Sequence, residues 1–238
     1  VVNVPTSSIA RESDLAIPIH AGVEVGVAST KAFTCQLVVL ALMALKAGLD
    51  RKRLSKADMV EHLRALSGLP GLMNQALLLS TSIEDIVEDL TEAQTILFLG
   101  RGLMAPLALE GALKLKEISY IHAEGYASGE LKHGPIALID RHVPVIVLAP
   151  CDWLFDKTVS NMQEVMARGG KVLLISDFTG ISESGDGCWK TLTLPAVAPQ
   201  FAPILYSVAV QLLAYHTAVA KGTDVDQPRN LAKSVTVE

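Results

Sequence analysis

The chain has 238 residues, which corresponds to about one and a half domains at roughly 150 residues per domain. Half of the residues are apolar, 19% are charged, and the mean hydropathy is +0.38. This composition excludes a disordered chain and predicts a large buried core. The net charge of −5 argues against nucleic-acid binding, because surfaces that bind nucleic acid are basic.

Two apolar segments raise the question of a membrane. The segment between Lys190 and Lys221 is interrupted by Pro195, Pro199 and Pro203, and residues 32–45 are shorter than the ~20 residues that span a bilayer. Both are therefore predicted to be buried helices of a soluble protein. Residues 1–8 contain neither a basic region nor a cleavable apolar segment, so we expect no secretion signal and a cytoplasmic protein.

The cysteines also favour a cytoplasmic protein. Cys35, Cys151 and Cys188 form no C-x-x-C pair and have no close histidine in the sequence. We therefore expect reduced thiols and neither a disulfide nor a zinc site. No metal ion and no organic cofactor is indicated.

Strands and helices alternate along the chain. Short apolar runs bounded by turn residues predict strands at residues 1–4, 95–99, 143–148, 171–175 and 191–194. Helical patterns cover residues 30–47, 56–67, 71–90, 106–120, 153–168 and 203–221. Strands that are apolar throughout and alternate with helices indicate a parallel sheet covered on both faces. The predicted fold class is α/β.

Residues 31–48 and 202–222 are both long, nearly uncharged helical segments. Each carries Gln-Leu and, ten residues after the Gln, a Lys close to a Gly, with an offset of 175 residues between Gln36 and Gln211. The offset indicates two similar lobes, and it would place about 80 residues of the first lobe before Val1. The alternative is a chance likeness between two apolar helices.

The densest group of polar residues lies between Glu110 and His133. Glu110, Lys114 and Glu117 follow the spacing i, i+4, i+7 and so share one stripe of a helix. This helix follows a strand and a Gly-Arg-Gly turn, so the stripe is expected to begin near the carboxyl end of a parallel strand, where α/β proteins bind ligands. A glutamate held beside a lysine suits a general base, whereas on a solvated surface the same stripe only forms ion pairs.

Three further segments offer candidate residues. His133 lies on a polar, glycine-containing loop and has the residue type of a proton shuttle at neutral pH, with His122 as its competitor. Ser29 or Thr30 is the expected N-cap of the following helix. Lys233 in the polar tail is either a solvated amine or, if the tail folds over a pocket, an amine placed for Schiff-base chemistry. The sequence contains no Walker loop or other anion cradle.

Four segments resemble one enzyme family: GVASTKAFT, LEGALKLKEISYIHAE, SGELKHGP and DQPRNLAKSVTVE. Over its whole length the chain resembles the C-terminal part of the glutamine–fructose-6-phosphate aminotransferases (isomerizing), also called glucosamine-6-phosphate synthases. The resemblance implies two sugar isomerase (SIS) lobes, each a parallel sheet flanked by helices, with the first lobe truncated at its N-terminus. It divides the chain into the rest of the first lobe with connecting helices (residues 1–90), the second lobe (91–222) and an active-site tail (223–238).

The resemblance also implies roles for particular residues. Glu117 would move a proton between C1 and C2 of the sugar, and Lys233 would form the Schiff base with the open ketose. His133 would assist ring opening from the neighbouring subunit, and Lys114 would support the site electrostatically. The positions expected to contact the sugar are Val27, Ala28 and Ser29.

The family implies specific partners. Fructose 6-phosphate would react with ammonia released by a glutaminase domain of the same full-length chain to give glucosamine 6-phosphate, in a homodimer that binds neither nucleic acid nor membranes. The family's phosphate loop, Ser-Gln-Ser-Gly-x-Thr, and the glutaminase domain are not in this sequence, so we expect this chain to be inactive alone. The alternatives are a non-catalytic SIS module that binds sugar phosphates and another SIS isomerase or deaminase. Glu117, His133 and Lys233 together argue against the first, and the tail argues against the second.

Overall fold

A computed structural model describes residues 1–233, and at its centre is one sheet of five parallel strands. The strands are β1 (Thr95–Gly100), β2 (His122–Ala127), β3 (Pro144–Leu148), β4 (Lys171–Asp177) and β5 (Lys190–Leu194), and their order in the sheet is β2-β1-β3-β4-β5. The predicted α/β class is confirmed.

Helices cover both faces of the sheet. Four of them precede the sheet in the sequence, and the others follow β1. The four that precede it are α1 (Ser8–Glu12), α2 (Lys31–Asp50), α3 (Lys56–Leu77) and α4 (Leu79–Thr91). Those that follow β1 are α5 (Met104–Ser119), α6 (Phe155–Met166), α7 (Phe178–Ser184) and α8 (Ala202–Ala220). Short 3-10 helices at Ser128–His133 and Pro135–Leu138 follow β2, and another at Pro199–Phe201 precedes α8.

The strands β1, β3 and β4 are apolar over most of their length because both faces of the sheet are buried there. In β1, Ile96 and Phe98 contact the core formed with α4, α5 and α8. Leu97 and Leu99 point the other way and pack with the apolar residues of α6. Alternate residues of a strand face opposite sides of a sheet, so a strand between two helical layers has no polar face.

The prediction of two sheets is not met by the described residues. The strand predicted at residues 1–4 is absent, and Val2 forms only an isolated bridge with Pro18, in which the Val2 amide donates to the Ile17 carbonyl at 2.9 Å. Residues 1–94 otherwise fold as helices and loops. One bridge does not make a sheet, so the described residues contain a single parallel sheet, and the division into two lobes stays a prediction.

The two similar apolar segments form α2 and α8 and differ in burial. The helical stretch Pro199–Ala220 is 72% buried, whereas only 6% of α2 is buried. The prediction of burial is therefore confirmed for α8 and wrong for α2, because an apolar sequence does not supply the partner that would cover it. Both helices are long and apolar enough to cross a bilayer, but a core helix of a soluble protein passes the same test.

Several local features were not predicted, among them the short helices α1 and α7. The helices expected at residues 56–67 and 71–90 divide differently, because α3 continues through Pro70 and the break falls at Leu78. Strand β2 was missed because its sequence, HAEGYA, has no apolar run. As an edge strand it pairs with β1 alone and is only partly buried.

Gly125 of β2 allows α5 to lie directly on the strand. A Cβ at this position would lie 2.6 Å from the carbonyl oxygen of Ala108 and 2.6 Å from the Cα of Leu109. Both are backbone atoms of a helix and cannot rotate away. A glycine is therefore required where α5 crosses β2.

The variant Gly125→Ala is expected to lower the free energy of unfolding by about 1–3 kcal/mol, because the added methyl group pushes α5 off the sheet. Urea denaturation followed by circular dichroism measures the change. The matched control is Gly68→Ala in α3, where an added Cβ meets nothing within 4 Å and helix propensity favours alanine. Equal stability for the two variants would contradict this account of Gly125.

Candidate functional site

A cavity of about 340 Å³ lies between the loop before α2, the helices α5 and α8, and the C-terminal tail. The residues that line it include Glu24, Gly26, Ala28, Lys114, Ile118 and Asp226. The cavity therefore joins three segments that are far apart in the sequence and that each contain a candidate residue.

The wall formed by α5 contains a buried charge cluster. The side chain of Lys114 is 6% exposed, and its Nζ lies 2.5 Å from Oε2 of Glu117 and 3.6 Å from Oε1 of Glu110. The predicted stripe is therefore confirmed as a geometric unit, but it is largely buried and is not the solvated set of ion pairs of the alternative interpretation. The single ammonium group of Lys114 therefore pairs with the carboxylates of both Glu110 and Glu117.

Burial changes the acidity of Glu110 in this cluster. Removal from water raises the pKa of Glu110, Lys114 opposes this effect, and the nearby charge of Glu117 raises the pKa further. Glu110 is thus the carboxyl group of the cluster whose environment favours its protonated form.

The sequence suggested a cluster near the carboxyl ends of the strands, but Glu117 lies far from that edge of the sheet. Helix α5 begins near the carboxyl end of β1, but Glu117 is thirteen residues after Met104, which at 1.5 Å per residue is about 20 Å along the helix. Helix α5 ends just before β2 begins at His122, so Glu117 lies towards the amino ends of the strands. The cavity lies beside α5 and α8 and not at the carboxyl edge of this sheet.

The loop before α2 is organised by Glu24. Its Oε1 accepts hydrogen bonds from the backbone amides of Thr30 at 2.9 Å and Ala32 at 3.1 Å, both at the start of α2. Thr30 occupies the N-cap position, as one of the two predicted residues, but its side chain forms no cap bond. The carboxylate of Glu24 supplies the acceptor instead.

Glu24 is held in its ionised form. Burial acts to raise the pKa of its carboxyl group, but the hydrogen bonds from the Thr30 and Ala32 amides and the adjacent Lys233 outweigh this and lower the pKa to about 2. A helix N-terminus also favours negative charge. Glu24 therefore carries a full negative charge throughout the physiological pH range.

Lys233 lies at the edge of this cavity. Its Nζ donates to Oε2 of Glu24 at 3.1 Å and to the carbonyl oxygens of Gly26 at 2.5 Å and Val27 at 3.4 Å. Of the two readings that the sequence left open for this lysine, the structure agrees with the folded tail. The rest of the segment, residues 234–238, lies outside the described residues.

Specific contacts hold the tail against α5. The hydroxyl of Thr223 donates to the carbonyl of Ile118 at 2.6 Å, and the amide of Arg229 donates to the hydroxyl of Tyr120 at 2.8 Å. The guanidinium of Arg229 also lies over the Tyr120 ring, 4.2 Å from its centroid. No sequence pattern predicts these contacts, because none of these residues belongs to a regular repeat of apolar or polar positions.

The three expected sugar-contact residues lie beside the cavity. The amide of Val27 donates to the carbonyl of Asp226 at 2.9 Å, so this loop pairs with the tail. Ala28 is buried and lines the cavity. Ser29 is half-buried and follows directly in the loop.

His133 lies on the opposite face of the sheet. It ends the 3-10 helix Ser128–His133, in which Leu131 packs into the core on the α6 side. Lys132 pairs with Glu164 of α6 at 2.8 Å. The side chain of His133 is 73% exposed, and its Nδ1 lies 2.7 Å from Oε2 of Glu130. Within one chain the structure therefore does not bring His133 to Glu117 and Lys233.

Other cavities are larger but lack this combination of groups. One of about 500 Å³ lies at the amino ends of β1, β3 and β4, where Asp89, Glu92 and Asp140 mix with Arg141 and Lys171. Another of about 590 Å³ is lined mostly by apolar residues of α2 and the segment before it. Neither is lined by Lys114 or by Glu24, which accepts the hydrogen bond from Lys233.

Comparison with known proteins identifies the family. The sequence profile of the SIS domain matches residues 89–221, which is more than half of the chain. The chain belongs to the SIS domain family. Glutamine–fructose-6-phosphate aminotransferases (isomerizing) from Zymomonas mobilis and Bradyrhizobium diazoefficiens are 63% and 62% identical to it over 238 residues. All of this chain is aligned, and it spans 39% of the length of each of these relatives.

Solved structures support the same family assignment. The C-terminal domain of glucosamine-fructose-6-phosphate aminotransferase from Francisella tularensis matches with a TM-score of 0.91 and 50% identity, over 94% of this chain and 63% of that one. A glucosamine-6-phosphate deaminase from Thermotoga maritima matches with a TM-score of 0.72 and 24% identity, over 99% of this chain and 65% of that one; it shares the fold. The chain is thus homologous to the C-terminal isomerase portion of the aminotransferases, as its sequence motifs indicated.

Lys114→Met tests the buried charge cluster. The substitution leaves Glu110 and Glu117 without their ammonium partner, and breaking such a buried pair is expected to cost about 3 kcal/mol of unfolding free energy near neutral pH. The loss should shrink as the pH falls towards about 4, because protonation removes the unpaired charges. Chemical denaturation across this pH range measures it. Lys116→Met, at an exposed position two residues along α5, is the control, and an equal loss in both variants would refute the pairing.

Proposed function

We propose that this chain forms the isomerase part of a glucosamine-6-phosphate synthase and converts fructose 6-phosphate and ammonia to glucosamine 6-phosphate. One observation supports the proposal above all others. Lys233 is bonded to Glu24, which lines a cavity that is also lined by Lys114, and Lys114 is bonded to Glu117. An amine and a carboxylate base are the two groups that this chemistry requires.

Lys233 is proposed to form the imine with the open sugar. After losing one proton, its Nζ attacks the C2 carbonyl carbon of the ketose, a C–N bond forms, and the carbonyl oxygen leaves as water. Ammonia then replaces the lysine at C2 and frees Nζ. The flexible stem of a lysine allows its nitrogen to reach a carbonyl in the cavity while the backbone of the tail stays anchored.

Glu117 is proposed to move the proton between C1 and C2. Isomerisation requires a base placed over two adjacent carbons, which takes the proton from one and returns it to the other. The ammonium of Lys114 beside it would stabilise negative charge that develops on the sugar during this transfer. Val27, Ala28 and Ser29 are the proposed sugar contacts on the other wall.

His133 is proposed to assist ring opening in the site of a second copy of this chain. It lies on the opposite face of the sheet from α5, so one chain by itself does not supply it to the cavity. A homodimer in which each subunit contributes His133 to its neighbour would complete both sites. The proposal also includes a cytoplasmic location and a glutaminase domain of the full-length protein as the ammonia source.

The 238-residue chain expressed alone is expected to form no glucosamine 6-phosphate from fructose 6-phosphate and glutamine or ammonia. Its sequence contains no phosphate-binding loop and no glutaminase nucleophile, so the sugar would not be anchored and glutamine would not be cleaved. A coupled assay for glucosamine 6-phosphate measures this. Appreciable turnover would show that this chain already contains every group that the reaction needs.

Lys233→Ala in the full-length protein is expected to abolish the trapping of fructose 6-phosphate by borohydride, because no imine can form at alanine. Intact-mass spectrometry detects the reduced adduct. Lys221→Ala, which removes an exposed lysine after α8, is the control and should trap at the wild-type rate. Persistent trapping in Lys233→Ala would remove this lysine from the proposed role, and sugar-phosphate binding without trapping in the wild type would favour a non-catalytic module.

A further inference from the structure

Glu24 contacts both the beginning of α2 and the end of the described tail. One of its carboxylate oxygens is fixed by the backbone amides that begin α2, and the other accepts a hydrogen bond from Nζ of Lys233. Its side chain is only 9% exposed, so it has little freedom to move. The carboxylate of Glu24 thereby links the amino end of the twenty-residue helix α2 to Lys233, the last described residue of the tail.

The ammonium group of Lys233 has three acceptors and three hydrogens. The acceptors are Oε2 of Glu24 and the carbonyl oxygens of Gly26 and Val27. Val27 forms the longest of the three bonds, at 3.4 Å, and is also one of the proposed sugar contacts. If a sugar takes over the Val27 carbonyl, Glu24 and Gly26 still hold the nitrogen at the edge of the cavity.

From this geometry we infer that Glu24 is a positioning residue, whose fixed carboxylate sets where Nζ of Lys233 lies before the nitrogen attacks the sugar. This inference rests on the proposed imine chemistry of Lys233. Glu24 acts through Lys233 and is not itself assigned a contact with the sugar. Positioning of this kind matters because a reacting group misplaced by about 1 Å can lower a rate about 100-fold.

Glu24 is unsuited to act as the base that deprotonates Lys233. The pKa of its carboxyl group is lowered to about 2, so it holds a proton too weakly at neutral pH to keep the one that Lys233 must lose. That proton passes to water, and the neutral amine then attacks the carbonyl. Glu24 therefore contributes by fixing the position of Nζ of Lys233 and by placing a negative charge beside it.

The substitution Glu24→Gln separates positioning from helix capping. The amide oxygen of glutamine can still accept from the Thr30 and Ala32 amides, whereas its NH₂ group cannot accept a hydrogen bond from Lys233. Glu24→Asp keeps the charge but is one methylene shorter, so it cannot span the same distance between α2 and Lys233. The expected order of trapping rates is wild type, then Glu24→Asp, then Glu24→Gln.

The experiment measures borohydride trapping of fructose 6-phosphate and steady-state kinetics in the full-length protein. Glu24→Gln should lower both the trapping rate and kcat by about 10- to 100-fold while KM changes little, because Glu24 does not bind the sugar. Glu61→Gln, which neutralises an exposed carboxylate of α3, is the control and should behave as wild type. Wild-type trapping and kcat in both Glu24 variants would overturn the inference.

Further outcomes keep the test decisive. A loss confined to KM in Glu24→Gln would mean that Glu24 serves sugar binding, which also overturns the inference. If Glu24→Gln melts more than about 5 °C below the wild type, the decision passes to Glu24→Asp, and wild-type trapping there would overturn it. Trapping that persists in Lys233→Ala contradicts the proposed function itself. Trapping lost in Lys233→Ala but unchanged in the Glu24 variants contradicts only the role of Glu24.

Discussion

The packing of α5 against α8 is the contact on which the candidate site depends. The buried charge cluster lies on α5, and the tail with Lys233 begins where α8 ends. Gly111 of α5 makes the close approach possible, because a Cβ there would lie 2.9 Å from the ring of Phe98 and 3.2 Å from Cβ of Val210 in α8. If the two helices separated, the walls of the cavity and the anchor points of the tail would move apart together.

Two buried charged groups of the site, Lys114 and Glu24, are compensated in different ways. Lys114 is the more buried of the two and is compensated by two carboxylates. Glu24 is compensated by backbone amides and by Lys233, so its charge does not depend on a single ion pair. Isolated charges are costly to bury, and each of these charges is buried together with the groups that compensate it.

Most of the parallel sheet was predictable. The strands β1, β3 and β4 are buried on both faces, so each is an apolar run with clear limits, whereas the polar and apolar residues of β5 alternate and Pro195 marks its end. Strand β2 is different, because its position at the edge of the sheet and the requirement for Gly125 under α5 leave it with a polar, glycine-containing sequence. Edge strands do not have to be apolar throughout, and periodicity alone does not find them.

The site was predictable in its chemistry and not in its arrangement. Glu110, Lys114 and Glu117 were found because helical spacing places them on one stripe whatever the rest of the fold does. Glu24 was missed as a functional residue, because its importance comes from contacts with α2 and with Lys233, which is 209 residues away in the sequence. His133 was found by its residue type, but its position on the α6 side of the sheet could only come from the structure.

The sequence by itself determined the α/β class, the charged stripe of α5 and the family resemblance, because these depend on local periodicity and on short motifs. The tertiary structure decided which helix is covered, which strand lies at the edge, and which residues meet at the cavity. Burial and long-range contacts depend on what lies opposite each side chain. For that reason α2 and α8, so similar as sequences, have such different surroundings, and a lysine of the tail joins a glutamate near the beginning of the chain.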